Sequence, residues 1–153
     1  MKKIFMVFGI IFLVLIVAIV GFAGFAAYAG AGLDKSSKAY VDQTIPIIVS
    51  NWSKDEVLKR ASPQLKQIIS EHPQEFQQLF DKLSRLGALQ HYDGAKGQAT
   101  VFFDSKQGKI ISAKYVADAS FAHGQAHIAI NLIQLAGHWQ LLLFHVNSPL
   151  FLQ

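Results

Sequence analysis

Cysteine is absent from this 153-residue chain, which rules out disulfides, thiolate metal sites and cysteine nucleophiles. The folded part must therefore be held together by its core alone. Charge is also scarce: 16% of residues are Asp, Glu, Lys or Arg, and none falls between Ile4 and Leu33. Catalytic signatures are missing too. Gly94-Ala95-Lys96-Gly97 lacks the strand–helix context of a phosphate loop and reads as a plain turn. There is no Gly-x-Ser-x-Gly elbow and no metalloprotease helix. No internal repeat or low-complexity segment is visible.

The charge-free run from Ile4 to Leu33 is the most prominent feature present. Thirty helical residues rise about 45 Å, whereas a bilayer core needs only about 20 residues. Ile10 to Val20 are aliphatic or aromatic apart from Ala18. At roughly −0.3 to −0.6 kcal/mol per Leu-like residue, that stretch favours insertion by several kcal/mol. The predicted anchor is one helix from about Ile4 to Ala29, carrying Ile4, Phe5, Ile10, Phe12, Leu15, Val20, Phe22 and Phe25, with Tyr28 near the outer interface. Lys2 and Lys3 precede it and belong on the cytoplasmic side by the positive-inside rule. The rest of the chain is then expected outside, in the periplasm of a bacterial inner membrane. A cleaved signal peptide is the rival reading, because Ala27-Tyr28-Ala29 resembles a small-x-small cleavage site. The run is longer than the usual apolar region of such peptides, which favours retention. Either way, residues 1–33 deliver residues 34–153 across a membrane.

With Lys2 and Lys3 set aside, 12 basic residues face 10 acidic ones. The densest bases, Lys35 to Lys66, are interleaved with Asp34, Asp42, Asp55 and Glu56. That is a solvated face, not a nucleic-acid stripe.

Residues 34–153 have room for one domain. Their first half reads as helical. Asp34 or Ser36 can cap a helix with Tyr40, Ile47, Ile48 and Trp52 at apolar positions, which Pro46 should kink or end. Ser53-Lys54-Asp55-Glu56 is a capping box, and Ser62-Pro63 and His72-Pro73 place Pro at first helical positions. Phe76, Leu79, Phe80, Leu83 and Leu86 share one face, with Gly87 as the C-terminal cap. The second half changes to period two. Expected strands are Leu89–Asp93, ending in an Asp93-Gly94 turn, then Ala99–Asp104, Ile110–Ser120, Gln125–Leu135 and His138–Asn147. Ser105–Lys109 and Ala136-Gly137 read as hairpin loops, and Gly124 as a bend. The expected class is α+β, with helices packed on a curved antiparallel sheet of about four strands.

Tyr115 to Ser148, ending in Gly137-His138-Trp139, then Phe144 and Asn147-Ser148, resembles the nuclear transport factor 2-like (cystatin-like, cone-shaped) superfamily. The resemblance implies a cone fold. It is almost silent on function, since that superfamily includes isomerases, dehydratases, ligand carriers, immunity proteins and envelope assembly factors.

Six histidines are the candidate chemistry: His72, His91, His123, His127, His138 and His145. His123 and His127 are four apart on a predicted strand, hence about 13 Å apart, too far to share an ion. Counting from the Ala136-Gly137 turn puts His127 opposite Val146, and a one-residue change in register would bring His127 and His145 to one face near Asp118. His127, His145 and Asp118 are thus the catalytic candidates. Tyr115 with Asp104 is the only other pair resembling those that the superfamily's enzymes place in the cone, and Tyr40 and Asp42 are less specific. Alternation puts Asp118 on the face opposite Tyr115 and Phe121, outside the cone, which weakens an enzymatic reading. Trp52 and Trp139 read as core residues. Phe76, Phe80, Phe102, Phe103, Tyr115, Phe121 and Phe144 either fill the cone or line a cavity in it.

The leading expectation is a non-catalytic binding or assembly module of the envelope, without metal or cofactor. It would use an edge strand or the exposed face carrying Lys114, Asp118, Ser120, His127 and Asn131. Its partner would be an envelope protein, a second copy or a small apolar ligand. The alternatives are a small-molecule enzyme using the cone, and a periplasmic toxin-immunity protein.

Overall fold

The computed structural model describes residues 31–152. Helix α1 (Ala31–Asn51) leads into three shorter helices, α2 (Lys54–Arg60), α3 (Pro63–Glu71) and α4 (Pro73–Leu83). A 3₁₀ turn (Ser84–Leu86) then feeds four strands, β1 (Leu89–Asp104), β2 (Gly108–Phe121), β3 (Gly124–Leu135) and β4 (His138–Asn147). The strands form a curved antiparallel sheet in the order β1-β2-β3-β4, so the class is α+β. The expected membrane helix, including Ile4 to Tyr28 and the Ala27-Tyr28-Ala29 site, lies outside the described residues. Among those described, no helix is long and apolar enough to cross a membrane.

Alternation along β2 and β3 buries Ala113, Tyr115, Ala117, Ala119, Phe121, Ala126, Ile128, Ile130 and Leu132 on one face. Many of these are alanines, so the helix layer approaches closely. Val41, Ile45, Ile48 and Val49 of α1, at helical spacing, are all fully buried against them. This packing explains why Pro46 does not end the helix as expected: α1 runs through it unbroken. Ile47, expected inside, is instead an exposed position. Trp52 lies beyond the helix end at φ 48°, is buried against Phe121, and donates to Gly87 O.

The cap signals act locally. Ser53 Oγ accepts from Glu56 N, and Ser62 Oγ accepts from Leu65 N with Pro63 at the first helical position. Glu56 does not complete a capping box, because its carboxylate pairs with Lys59 and Arg60. Gly87, at φ 82°, ends the 3₁₀ turn.

Three strand expectations change. Leu89–Asp93 and Ala99–Asp104 belong to one strand, and Asp93-Gly94 is an irregularity within it. Gly94-Ala95-Lys96-Gly97 is strand, not turn. Gly97 is required there, since a Cβ on it would lie 1.9 Å from the Lys114 carbonyl oxygen of the neighbouring strand. His123 is in the two-residue turn between β2 and β3, not on a strand, and Gly124 simply opens β3. The Ala136-Gly137 hairpin forms as expected, with both residues at positive φ.

The helical half engages both sheet edges. Asp34 Oδ1 accepts from Ala99 N at 2.7 Å and Asp42 Oδ1 from Ala95 N at 2.8 Å. Eight helical residues rise about 12 Å and four strand residues about 13 Å, so the two carboxylates match alternate free amides of β1. Asp34 therefore serves the strand rather than capping its own helix. On the other edge, Ser62 N donates to Leu141 O at 2.7 Å. These contacts blunt the edges that a partner strand would otherwise extend.

Burial pushes the Asp42 carboxyl up, but bonds from Lys38, Ala95 N and Tyr92, with the Lys38 charge, outweigh it and hold it below the ordinary value. Asp42→Asn should cost about 1–3 kcal/mol of stability at neutral pH, measured by urea unfolding. The Asp42 contribution is complete above the unfolded carboxylate value of about 3.9 and is lost as pH falls through the lower folded value. The two proteins' stabilities should therefore converge in acid.

Candidate functional site

The outer face of the sheet alternates with the core face and carries the polar side chains. Asp118 is directly opposite His127 across β2 and β3, and Lys114 is opposite Asn131. His127 Nδ1 and Asp118 Oδ1 are 2.7 Å apart, and both side chains are more than half exposed. Ser120 is half-buried beside them and pairs with Gln125. All five expected binding residues thus share one face, with Lys114 and Asn131 a few residues along the strands from the Asp–His pair.

His145 reaches that face through a defect. From the Ala136-Gly137 turn, β3 and β4 pair in simple register as far as Leu132 with Leu141. A bulge at Leu142 then shifts the register, so His127 faces Asn147 rather than Val146, and Ala129 faces His145. His127 and His145 are diagonal neighbours on the outer face as a result. Crowding around the His145 ring disfavours its cation, and the neighbouring His127 adds to this, so its pKa lies below the ordinary imidazole value.

An open pocket of about 450 Å³ lies at this end of the sheet, lined by Asp93, Asp118, Ser120, Gln125, His127, Asn147 and Pro149. Asp93 was not singled out from sequence. The irregularity after Tyr92 brings it to the rim, where it pairs with His91 at 2.6 Å. Asn147 arrives through the β4 bulge. Neither placement has a sequence signal, because a one-residue defect leaves the period-two pattern on each side intact.

The opposite, concave face is filled. Tyr115, Phe121, Phe144, Phe76 and Phe80 are buried in the core, with Trp139 packed at its margin. Phe103 is 52% exposed and Phe102 only half-buried, so these two neither fill nor line the cone. Tyr115 Oη lies 2.7 Å from the buried Ser37 hydroxyl and donates to Asp34 O. Asp104 is at the far tip of its hairpin, so Tyr115 and Asp104 do not meet. Asp42 serves β1 as described. Burial raises the Tyr40 pKa, against lowering by Arg60 and a bond with Thr44, and leaves Tyr40 unsuited to act as an acid or base near neutrality. Among the described residues, every buried side-chain nitrogen and oxygen has a hydrogen-bond partner. No group of three His, Asp or Glu among them is placed to hold a metal ion.

The chemistry on the outer face is an imidazole oriented by a carboxylate in open solvent. It offers hydrogen-bond donors and acceptors. His145 should titrate below the ordinary value of about 6.5 by NMR, and His127→Gln should move it upward. A depressed histidine weakens the fold as it is forced to protonate, so stability should decline as pH falls from the unfolded value through the folded one.

No protein-family model, no curated protein and no solved structure matches this chain.

Proposed function

We propose that this chain is a single-pass inner-membrane protein of the bacterial envelope. In this reading its N-terminus is cytoplasmic and its α+β domain is a non-catalytic periplasmic binding module of nuclear transport factor 2-like type. The observation that carries the binding role is the division of the sheet. The concave face is packed with apolar side chains, while Lys114, Asp118, Ser120, His127 and Asn131 are presented together on the other face. Exposed Val116, between Lys114 and Asp118, gives that face an apolar centre within a polar rim, the composition of a protein interface. Both sheet edges are engaged by the helical half at Ala95, Ala99 and Leu141, which favours the face over an edge as the docking surface.

The Asp118–His127 pair at the pocket favours a second reading, a small-molecule enzyme working outside the cone. Against it, among the described residues no third side chain hydrogen-bonds to the pair, and both members are more than half exposed.

Affinity purification of the full chain from native membranes distinguishes the two. The expected result is a stoichiometric protein partner, or a dimer, that is lost in the combined Lys114→Ala, Val116→Asp and His127→Ala variant and kept in Glu71→Ala on α3. Recovery of neither a partner nor a dimer from membranes that retain the chain would sink the binding reading.

A further inference from the structure

The sheet has two unlike ends. At one lies the polar pocket. At the other lie the tips of the β1–β2 and β3–β4 hairpins, with Val101, Ile111 and Gln134 in register across the sheet. Asp34 is held at the level of Ala99, and Trp139 Nε1 donates to Ser36 Oγ, so the first turns of α1 lie alongside these strands. Since Asp42 meets Ala95, α1 and β1 run antiparallel, and β1 continues past Ala99 to Asp104. The hairpin end carries Phe103, the most exposed large apolar side chain among the described residues, with half-buried Phe102, Ile110 and Ile111. Lys106 and Lys109 flank them. Asp104 is the acid of the tip, and its Oδ1 accepts from the amides of Lys106 and Gln107.

The β1–β2 tip lies at the N-terminal end of α1, which the charge-free run Ile4–Leu33 precedes in sequence. In the reading proposed above, that places the tip toward the bilayer surface. Aromatic rings with flanking lysines are the composition favoured at that depth.

We infer that the β1–β2 hairpin tip is a second membrane contact, with Phe103 seated in the headgroup region of an anionic bilayer and Lys106 and Lys109 toward the lipid phosphates. This rests on the anchor proposed above. It orients the domain so that the Asp118–His127 pocket faces away from the membrane.

The absence of cysteine permits a direct test. Single-cysteine variants Phe103→Cys, His91→Cys at the opposite end of β1, and Leu15→Cys in the apolar run carry a nitroxide label in the full chain. The chain is reconstituted in phosphatidylcholine vesicles with and without phosphatidylglycerol. Collision with oxygen and with a water-soluble nickel chelate reads depth. The label at 103 should show a several-fold higher oxygen-to-nickel ratio than that at 91, and Lys106→Glu with Lys109→Glu should reduce it in the anionic vesicles. A water-like ratio at 103 with a hydrocarbon-like ratio at 15 would overturn the tip contact while leaving the anchor intact. A water-like ratio at 15 would remove the anchor and this inference together. Shielding of 103 from both reagents, with dipolar broadening, would assign the tip to a second copy and overturn the lipid contact.

Discussion

Two carboxylates on one helix hold this domain in its shape. Asp34 and Asp42 lie eight residues apart on α1 and accept from amides four residues apart on β1. Helical and extended rises coincide over that interval, so the helix and the strand lock in one antiparallel register. The same two bonds take up two outward amides of the β1 edge. Tyr92 and Lys38 converge on Asp42, and the backbone of Asp34 receives the buried Tyr115 hydroxyl. The helix cannot slide along the sheet without breaking all of these together.

That lock decides what each sheet face does. With α1 held close, the alanine-rich concave face packs against Val41, Ile45, Ile48 and Val49. The space beneath the sheet is occupied by apolar side chains. The polar residues are left on the other face, where the Asp118–His127 pair is open to solvent. The lock also sets the β1–β2 tip at the N-terminal end of α1 and the pocket at the opposite end of the sheet.

Much of the fold was legible in the sequence because its signals are local. Ser53, Ser62, Pro63 and Gly87 marked helix ends with side chains or backbone that act within three residues of where they stand. Alternation in β2 placed Tyr115 and Asp118 on opposite faces, and the Ala136-Gly137 hairpin followed from its turn chemistry. Pro46 misled because its local cost is outweighed by four buried side chains around it. Asp93-Gly94 misled because a turn pair and a strand irregularity share the same residues, and only the partner strand distinguishes them.

The sequence by itself determined the α+β order, the buried and exposed faces of the central strands, and the charge-free run that precedes the domain. These follow from periods and spacings within single elements or across one tight turn. Only the tertiary structure decided that His145 and Asn147 join the outer face, that the concave face is filled, and that Phe103 is left bare at a hairpin tip. The first depends on a one-residue bulge at Leu142 and the second on how closely a helix can approach alanines. The third depends on where two aspartates catch a strand. Each is a relation between elements distant in sequence, which no local pattern encodes.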